Sequence, residues 1–213
     1  MYKPNPETSC ERVRQGFNRF VETGDVLWEG SRVAYSWLSA NIPGTYSMLD
    51  IGCGAGFGTN MLLPRNVVGI DKNPQSIAFA QSVYSRMFFD TWDIALSPYP
   101  RLVDCVVMLE VVEHITDWVS AAENAKLCAA QTVVISTPNR EYEGYPDDRP
   151  SNAQHTREFV VGELLPLFED GWKIDQYDMV ALGTEELKKL TYVRVKIGSA
   201  ESASIMFIAR RIA

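Results

Sequence analysis

The sequence has little of what marks secreted, membrane-bound or nucleic-acid-binding proteins. Its four cysteines are dispersed and form no CxxC pair, which argues against a disulfide framework or a zinc knuckle and favours a reducing compartment. No apolar run approaches the length of a membrane span, and the N-terminus lacks the apolar segment of a signal peptide. The net charge of -7 gives no general attraction to phosphate backbones or anionic lipid. We therefore expect a cytoplasmic protein with no membrane partner.

The length and composition indicate one ordinary globular domain. A chain of 213 residues can bury one sizeable core but is short for two, and 46% hydrophobic with 22% charged residues is typical of a globular protein. Helical periodicity over residues 7–22 and 31–40 predicts a helical lid or extension within residues 1–42. The expected α/β core of the domain is residues 43–213.

Strands and helices alternate along that core. Helices are predicted at about residues 59–63, 74–84, 117–130 and 157–168, and a long polar connection spans residues 137–156. Strands that are apolar throughout and alternate with helices favour an α/β fold, in which a doubly wound, mostly parallel sheet has both faces covered. The last two strands lack a crossover helix between them, so we expect an antiparallel strand near the C-terminus. The seven predicted strands are residues 45–51, 67–70, 86–89, 103–109, 132–136, 172–180 and 204–209.

The strongest motif is LDIGCGAGFGT at residues 49–59, between the first strand and the first core helix. Its glycines allow the backbone to approach a ligand closely, and Asp50 can accept hydrogen bonds from a ligand amine or hydroxyl. Asp71 ends the next strand, where a carboxylate in a doubly wound sheet meets the ribose of a nucleoside. A dinucleotide fingerprint would space its glycines as GxGxxG to fit a pyrophosphate. The GxGxG spacing here favours a cofactor with an amine and no phosphate.

These residues resemble the class I S-adenosylmethionine (SAM)-dependent methyltransferases over roughly residues 24–180. The resemblance implies that the glycine loop carries the methionine part of SAM and that Asp71 binds its ribose. It also implies that an acid after the third strand, Asp93 with Asp90 as the alternative, contacts the adenine. The full set of cofactor-binding residues that we predict is Asp50, Gly52, Gly54, Gly56, Asp71, Lys72, Asp93, Ile94 and Glu110.

The second informative segment is VDCVVMLEVVEHITD at residues 103–117, where the fourth strand ends and substrate would meet the methyl group. Its ExxEH pattern resembles two methyltransferase subsets, the ubiquinone-pathway O-methyltransferases and the small-RNA 3'-terminal 2'-O-methyltransferases. In both subsets these residues are associated with a divalent metal. TPNREYE at residues 137–143 also resembles the RNA enzymes, which supply a further histidine downstream. The resemblance thus implies a metal site made of Glu110, Glu113, His114 and His155.

Two carboxylates and two imidazoles suit Mn²⁺, Co²⁺, Fe²⁺ or Zn²⁺ better than the oxygen-preferring Mg²⁺. A bound ion would lower the pKa of a substrate hydroxyl. Without a metal, His114 or His155 would act as general base beside Glu113, because histidine titrates near neutral pH. A purely structural alternative has Glu113 and His114 satisfying nearby backbone groups and His155 capping a helix. We accordingly assign catalytic roles to His114, His155 and Glu113.

Three functions are compatible with these motifs. The first is methylation of a hydroxyl on a small molecule or sugar, the second is methylation of an RNA 3' terminus, and the third is a SAM-binding or partner-binding module without chemistry. The acidic net charge and the HTREFV segment, which replaces the aromatic-rich tail of the RNA enzymes, favour the small molecule. Trp28 and Tyr35 can close the pocket from the N-terminal side. The residues 137–156 form either a lid over substrate or a surface loop.

Overall fold

The computed structural model describes residues 29–62, 66–141, 155–168, 170–182, 189–195 and 204–212. Within these ranges the chain forms an eight-stranded sheet with helices on both faces. The helices are α1 (Glu29–Asn41), α2 (Phe57–Met61), α3 (Pro74–Val83), α4 (Trp118–Cys128) and α5 (Val161–Leu164), with 3-10 turns at Val112–His114 and Leu165–Phe168. The strands are β1 (Met48–Ile51), β2 (Val67–Asp71), β3 (Phe88–Thr91), β4 (Val103–Leu109), β5 (Ala129–Pro138), β6 (Trp172–Leu182), β7 (Lys189–Val195) and β8 (Ser204–Arg211).

The strand order confirms the doubly wound, mostly parallel sheet. The order is β3-β2-β1-β4-β5-β8-β6-β7, and β1 to β5 are all parallel. Strand β8 is antiparallel to both β5 and β6, which confirms the antiparallel strand near the C-terminus. The described residues contain eight strands rather than seven, because β7 pairs with β6 as an antiparallel hairpin.

The two faces of the sheet are buried by different helices. Along β1, Met48 belongs to one apolar cluster and Leu49 to the other, because successive side chains of a strand point to opposite faces. Helix α1 covers the face of Met48 with Val33, Ala34, Tyr35 and Leu38. Helix α4 covers the opposite face with Ala121, Ala125 and Cys128. This double coverage explains why the strands are apolar throughout.

The helix boundaries follow capping chemistry and proline. Asn73 caps α3 by accepting a hydrogen bond from the Gln75 backbone N–H at 2.9 Å, and Pro74 occupies the first turn. The single helix predicted over residues 157–168 is wrong. That segment contains the short α5 followed by a 3-10 turn. Pro166 explains the interruption, since it lacks the N–H that an α-helical bond requires.

The helix predicted at residues 31–40 is confirmed as α1. The helix predicted over residues 7–22 and the pocket residue Trp28 lie outside the described residues, as do residues 142–154 of the connection after β5. Among the helices of the described ranges, none is both long and apolar enough to cross a membrane.

The strand order reverses between β1 and β4, because β2 and β3 lie on one side of β1 whereas β5 lies beyond β4. In open α/β sheets, ligands bind in the crevice outside the carboxyl ends of the strands at this reversal. Both motifs found in the sequence follow these two central strands, the glycine loop after β1 and the Glu110–His114 segment after β4. The topology therefore brings them together.

Candidate active site

The glycine loop has a backbone conformation that residues other than glycine do not readily adopt. Gly52, Gly54 and Gly56 have φ values of 71°, 52° and 81°, in the left-handed region. A Cβ at Gly52 would lie 2.5 Å from the Val111 side chain, and one at Gly56 would lie 2.7 Å from the Phe89 ring. The Val111 side chain therefore packs directly against Gly52. Because Val111 lies within the segment that follows β4, this contact joins the two motifs.

Asp50 lies fully buried beneath this loop. Its Oδ1 accepts a hydrogen bond from the Tyr35 hydroxyl at 2.8 Å, and its Oδ2 accepts one from the Thr59 hydroxyl at 2.6 Å. Burial raises the pKa of Asp50 to about 7, although the two hydroxyl donors act to lower it. The carboxyl group is therefore poised to ionise near neutral pH and to respond to a cationic group beside it.

Tyr35 connects α1 to the cofactor loop. Besides donating to Asp50, its ring lies so close to Gly58 that a Cβ there would be 2.1 Å from the ring. Tyr35, which the sequence suggested could close the pocket from the N-terminal side, lies against the glycine loop. Thr59 was not singled out, although it ends the same motif.

Asp71 holds the glycine loop from the neighbouring strand. Its Oδ2 accepts a hydrogen bond from the Gly54 N–H at 3.0 Å, and its Oδ1 accepts one from the Asn73 N–H at 2.8 Å. Burial raises the pKa of Asp71, and the neighbouring Asp93 raises it further, whereas the two amides and Lys72 lower it. Lys72 itself is exposed.

Asp90 and Asp93, the two candidates for the adenine contact, have different partners. The carboxylate of Asp90 accepts a hydrogen bond from the Tyr99 hydroxyl at 3.2 Å. Asp93 lies beyond the end of β3, accepts the Ala95 N–H at 3.0 Å and acts electrostatically on Asp71. The Ile94 side chain is buried in the core, and the Ile94 carbonyl accepts a hydrogen bond from Asn124 at 2.8 Å. Cofactor contacts of Asp93 and Ile94 stay predictions.

The segment after β4 begins with a strained residue. Glu110 has a φ of 57°, the only positive value among non-glycine residues of the described ranges. Its Oε1 accepts hydrogen bonds from the hydroxyls of Ser136 at 2.8 Å and Ser204 at 3.0 Å. Burial raises the pKa of Glu110. Strands β5 and β8 thus fix the side chain of Glu110 at the rim of the crevice.

Glu113, His114 and His155 converge beside this residue. The 3-10 turn Val112–His114 presents the first two, and one potential ligand atom from each of the three side chains lies within 4.8 Å of the others. The His114 and His155 rings meet edge to face with centroids 4.8 Å apart, and His114 Nε2 is 4.0 Å from Glu113 Oε1. Glu110 is not part of this group of three.

The donor set fits a transition-metal ion. Two imidazoles and one carboxylate form a common site for such ions. Donors bound tetrahedrally to one ion at about 2.1 Å are about 3.4 Å apart, so the widest pair would close by up to about 1.4 Å. Burial, followed by the nearby Glu110 carboxylate, raises the pKa of Glu113 well above its ordinary value. A bound cation would relieve that electrostatic cost.

The groups that hold the cluster in place were not identified from the sequence. The Thr137 hydroxyl donates to Glu113 Oε2 at 3.1 Å, and Thr156 donates to the Glu113 carbonyl from its N–H at 2.8 Å and its hydroxyl at 2.9 Å. His155 Nδ1 is 3.0 Å from Glu158 Oε1. Thr137 and Glu158 occur in the TPNREYE and HTREFV segments already noted, but nothing in their spacing indicates these contacts.

Comparison with known proteins identifies relatives of the central part of the chain. A family model described as a methyltransferase domain matches residues 49–134. A probable SAM-dependent methyltransferase of Mycolicibacterium smegmatis is 32% identical over 142 residues, which make up 64% of this chain and 55% of that protein. A ubiquinone biosynthesis O-methyltransferase of Rhodopseudomonas palustris is 36% identical over 110 residues, 46% of this chain and 42% of that protein. The chain therefore spans about half the length of the curated relatives it matches.

The fold extends the likeness over nearly the whole chain. A SAM-dependent methyltransferase from Thermotoga maritima superposes with a TM-score of 0.71, covering 95% of this chain and 98% of that one, at 14% sequence identity. Such low identity shows a shared fold and no more. Taken with the methyltransferase-domain match and the relatives above, this shared fold supports membership of the class I SAM-dependent methyltransferase superfamily.

Proposed function

We propose that this protein transfers the methyl group of SAM to a hydroxyl oxygen of a small molecule, assisted by a divalent ion at Glu113, His114 and His155. The observation that carries the proposal is the direct contact between the two motifs. Val111 lies against Gly52, so the glycine loop and the carboxylate–imidazole cluster border the same crevice. A methyl donor held by the loop would present its reactive carbon towards that cluster.

The cofactor side of this reaction depends on Asp50 and Asp71. Asp50 would bind the amine of the methionine part, and Asp71 the ribose hydroxyls, each through lone pairs that its present hydrogen bonds leave available. In the transfer, an oxygen lone pair forms the bond to the methyl carbon. The carbon–sulfur bond breaks at the same time, and its electron pair stays on sulfur, which becomes a neutral thioether.

The substrate side depends on the imidazole cluster. A divalent ion bound there supplies Lewis acidity, which lowers the pKa of a substrate hydroxyl. His114 is 38% exposed, whereas the His155 and Glu113 side chains are nearly inaccessible at 8% and 1%. The more accessible His114 imidazole would therefore hold the ion on the side of the substrate, and the hydroxyl proton would pass to solvent. Without the ion, His114 would itself take up that proton, and Glu113 would balance the resulting positive charge.

A small-molecule hydroxyl is supported over RNA by the relatives and by charge. The ubiquinone biosynthesis relative is an O-methyltransferase by name, and the chain carries a net charge of -7. RNA binding relies mainly on neutralising phosphates with basic residues. The likeness of TPNREYE to the small-RNA enzymes makes RNA the alternative that the experiment must include.

The test is methyl transfer from radiolabelled SAM to defined acceptors. The acceptors are a catechol (3,4-dihydroxybenzoate), a polyol and a short RNA with a free 3' end, each assayed with Mn²⁺ and after metal removal. Labelling of the catechol or the polyol that occurs only with the ion present supports the proposal. Label in RNA alone contradicts the small-molecule assignment. SAM binding without transfer to any acceptor favours a non-catalytic binding module.

Cofactor binding should depend on pH through Asp50. An ionised Asp50 attracts the cofactor ammonium, and a carboxyl group with a pKa of about 7 becomes protonated as the pH falls below that value. The Kd of SAM should therefore rise by about tenfold for each pH unit below 7, and level off above it until the cofactor amine itself loses its proton. Isothermal titration calorimetry between about pH 5.5 and 7.5 measures this dependence.

Two controls isolate Asp50 from the other titrating groups. Asp50→Asn should bind SAM more weakly at pH 7.5 and show little change in Kd at acid pH. Methylthioadenosine, which retains the nucleoside but lacks the amine, should bind the unmodified protein with a nearly constant Kd. If the Kd of SAM for Asp50→Asn still rises as the pH falls below 7, the titrating group is another residue, such as Asp71.

A further inference from the structure

One buried carboxylate beside the cluster has no role in the function proposed so far. The Glu158 side chain is 3% exposed and its Oε1 lies 3.0 Å from Nδ1 of His155, whose side chain is 8% exposed. Glu158 does not belong to the group of three side chains whose potential ligand atoms lie within 4.8 Å of one another. It therefore contacts a member of the cluster from outside it.

The segment that carries both residues is anchored at two points. Thr156 follows His155 and donates twice to the Glu113 carbonyl, so the backbone beside His155 is tied to the neighbouring member of the cluster. Phe159 follows Glu158 and is fully buried, with its carbonyl accepting the Arg140 N–H at 2.9 Å. The distance between His155 and Glu158 is thus set by the fold.

A carboxylate can only accept a hydrogen bond, so an imidazole nitrogen facing it must carry the proton. We propose that Glu158 is a positioning residue that holds His155 in the Nδ1–H tautomer and leaves the lone pair on Nε2 for a divalent ion. This inference rests on the proposed function, in which His155 is a metal ligand. A carboxylate that accepts a hydrogen bond from a metal-binding histidine also orients the ring and increases the basicity of the nitrogen that binds the metal.

The electrostatics of the cluster agree with this arrangement. Glu158, Glu113 and Glu110 are three acids near two imidazoles, and the charges of Glu110 and Glu158 act on Glu113 in the direction of a higher pKa. A divalent cation beside these acids would favour the ionised form of Glu113, which its raised pKa disfavours.

The test is ¹⁵N nuclear magnetic resonance of the imidazoles, because the sequence has only two histidines and both lie in this cluster. His114→Gln assigns the two sets of signals. At about pH 8.5, where an ordinary histidine is neutral, His155 should be mainly in the Nδ1–H form. Glu158→Ala should shift His155 towards the Nε2–H form. Glu158→Gln, whose carbonyl can still accept from Nδ1, should retain more of the original tautomer.

Zn²⁺ titration supplies the second measurement. Binding should move the His155 Nε2 resonance, and Glu158→Ala should weaken Zn²⁺ binding by about 10- to 100-fold. His155 in the Nε2–H form in the unmodified protein would overturn the inference even if neither Glu158 variant folds. Equal Zn²⁺ affinity in folded Glu158→Ala would overturn it as well. Methyl transfer without any Zn²⁺ effect on either imidazole would instead contradict the metal assistance in the proposed function.

Discussion

Replacing Asp71 by alanine is expected to raise the Kd of SAM by at least about 100-fold. Asp71 accepts the backbone N–H groups of Gly54 and Asn73, so the substitution removes the anchor of the glycine loop as well as the expected ribose contact. Hydrogen bonds to a charged group contribute about 1.5–3 kcal/mol each, and the loss of the bonds expected from the two ribose hydroxyls accounts for the change. Isothermal titration calorimetry with SAM gives the affinities.

Asp104→Ala is the matched control for Asp71→Ala. Asp104 also accepts a backbone N–H, that of Ser47 at 2.8 Å, but it lies at the amino end of β4, away from the crevice. Both variants lose the anchor of a loop, whereas only Asp71→Ala should lose SAM affinity. Asp71→Asn keeps one acceptor oxygen and should have an intermediate Kd. A folded Asp71→Ala protein that binds SAM within about threefold of the original would refute the assigned role.

The fold and the cofactor loop were predictable because their determinants are local. The central strands β1, β2 and β4 are largely apolar runs, and Asp50, the glycine loop and Asp71 lie at or just beyond the carboxyl ends of β1 and β2. The edge of the sheet was harder to predict. The eighth strand, β7, begins within a charged stretch at residues 185–189 and is not an apolar run. Pro166 interrupts what helical periodicity presents as one helix.

The contacts that hold the candidate site together join residues distant in the sequence. The Tyr35 hydroxyl reaches Asp50 across 15 positions, and the Ser204 hydroxyl reaches Glu110 across 94. Such contacts depend on the packing of α1 against one face and of β8 against β5, which a single sequence does not specify. Glu158 illustrates the same limit at short range, since its three-residue separation from His155 is equally compatible with a surface pair.

Replacing Glu113 by glutamine is expected to lower the rate of methyl transfer by at least about 1000-fold while the Kd of SAM changes by less than about threefold. Glutamine has nearly the same shape and can still accept the Thr137 hydrogen bond, but it cannot supply the negative charge that faces the two imidazoles. The loss should therefore appear in turnover rather than in cofactor affinity. Radiolabel transfer to 3,4-dihydroxybenzoate and calorimetric titration of SAM give the two quantities.

The stability of the same variant separates a functional from a structural role. Burial and the Glu110 carboxylate raise the pKa of Glu113, so the folded protein disfavours its ionised form and loses stability as the pH rises above the ordinary pKa of a glutamate. A neutral glutamine removes this cost, so Glu113→Gln should match or exceed the unmodified protein in Tm at pH 8. Glu123→Gln, on the exposed face of α4, should change neither Tm nor turnover. Lost turnover with a lowered Tm would instead indicate that Glu113 serves the fold. A buried acid that is retained for its chemistry stabilises the protein less than its neutral counterpart does, so replacing it should not lower the Tm.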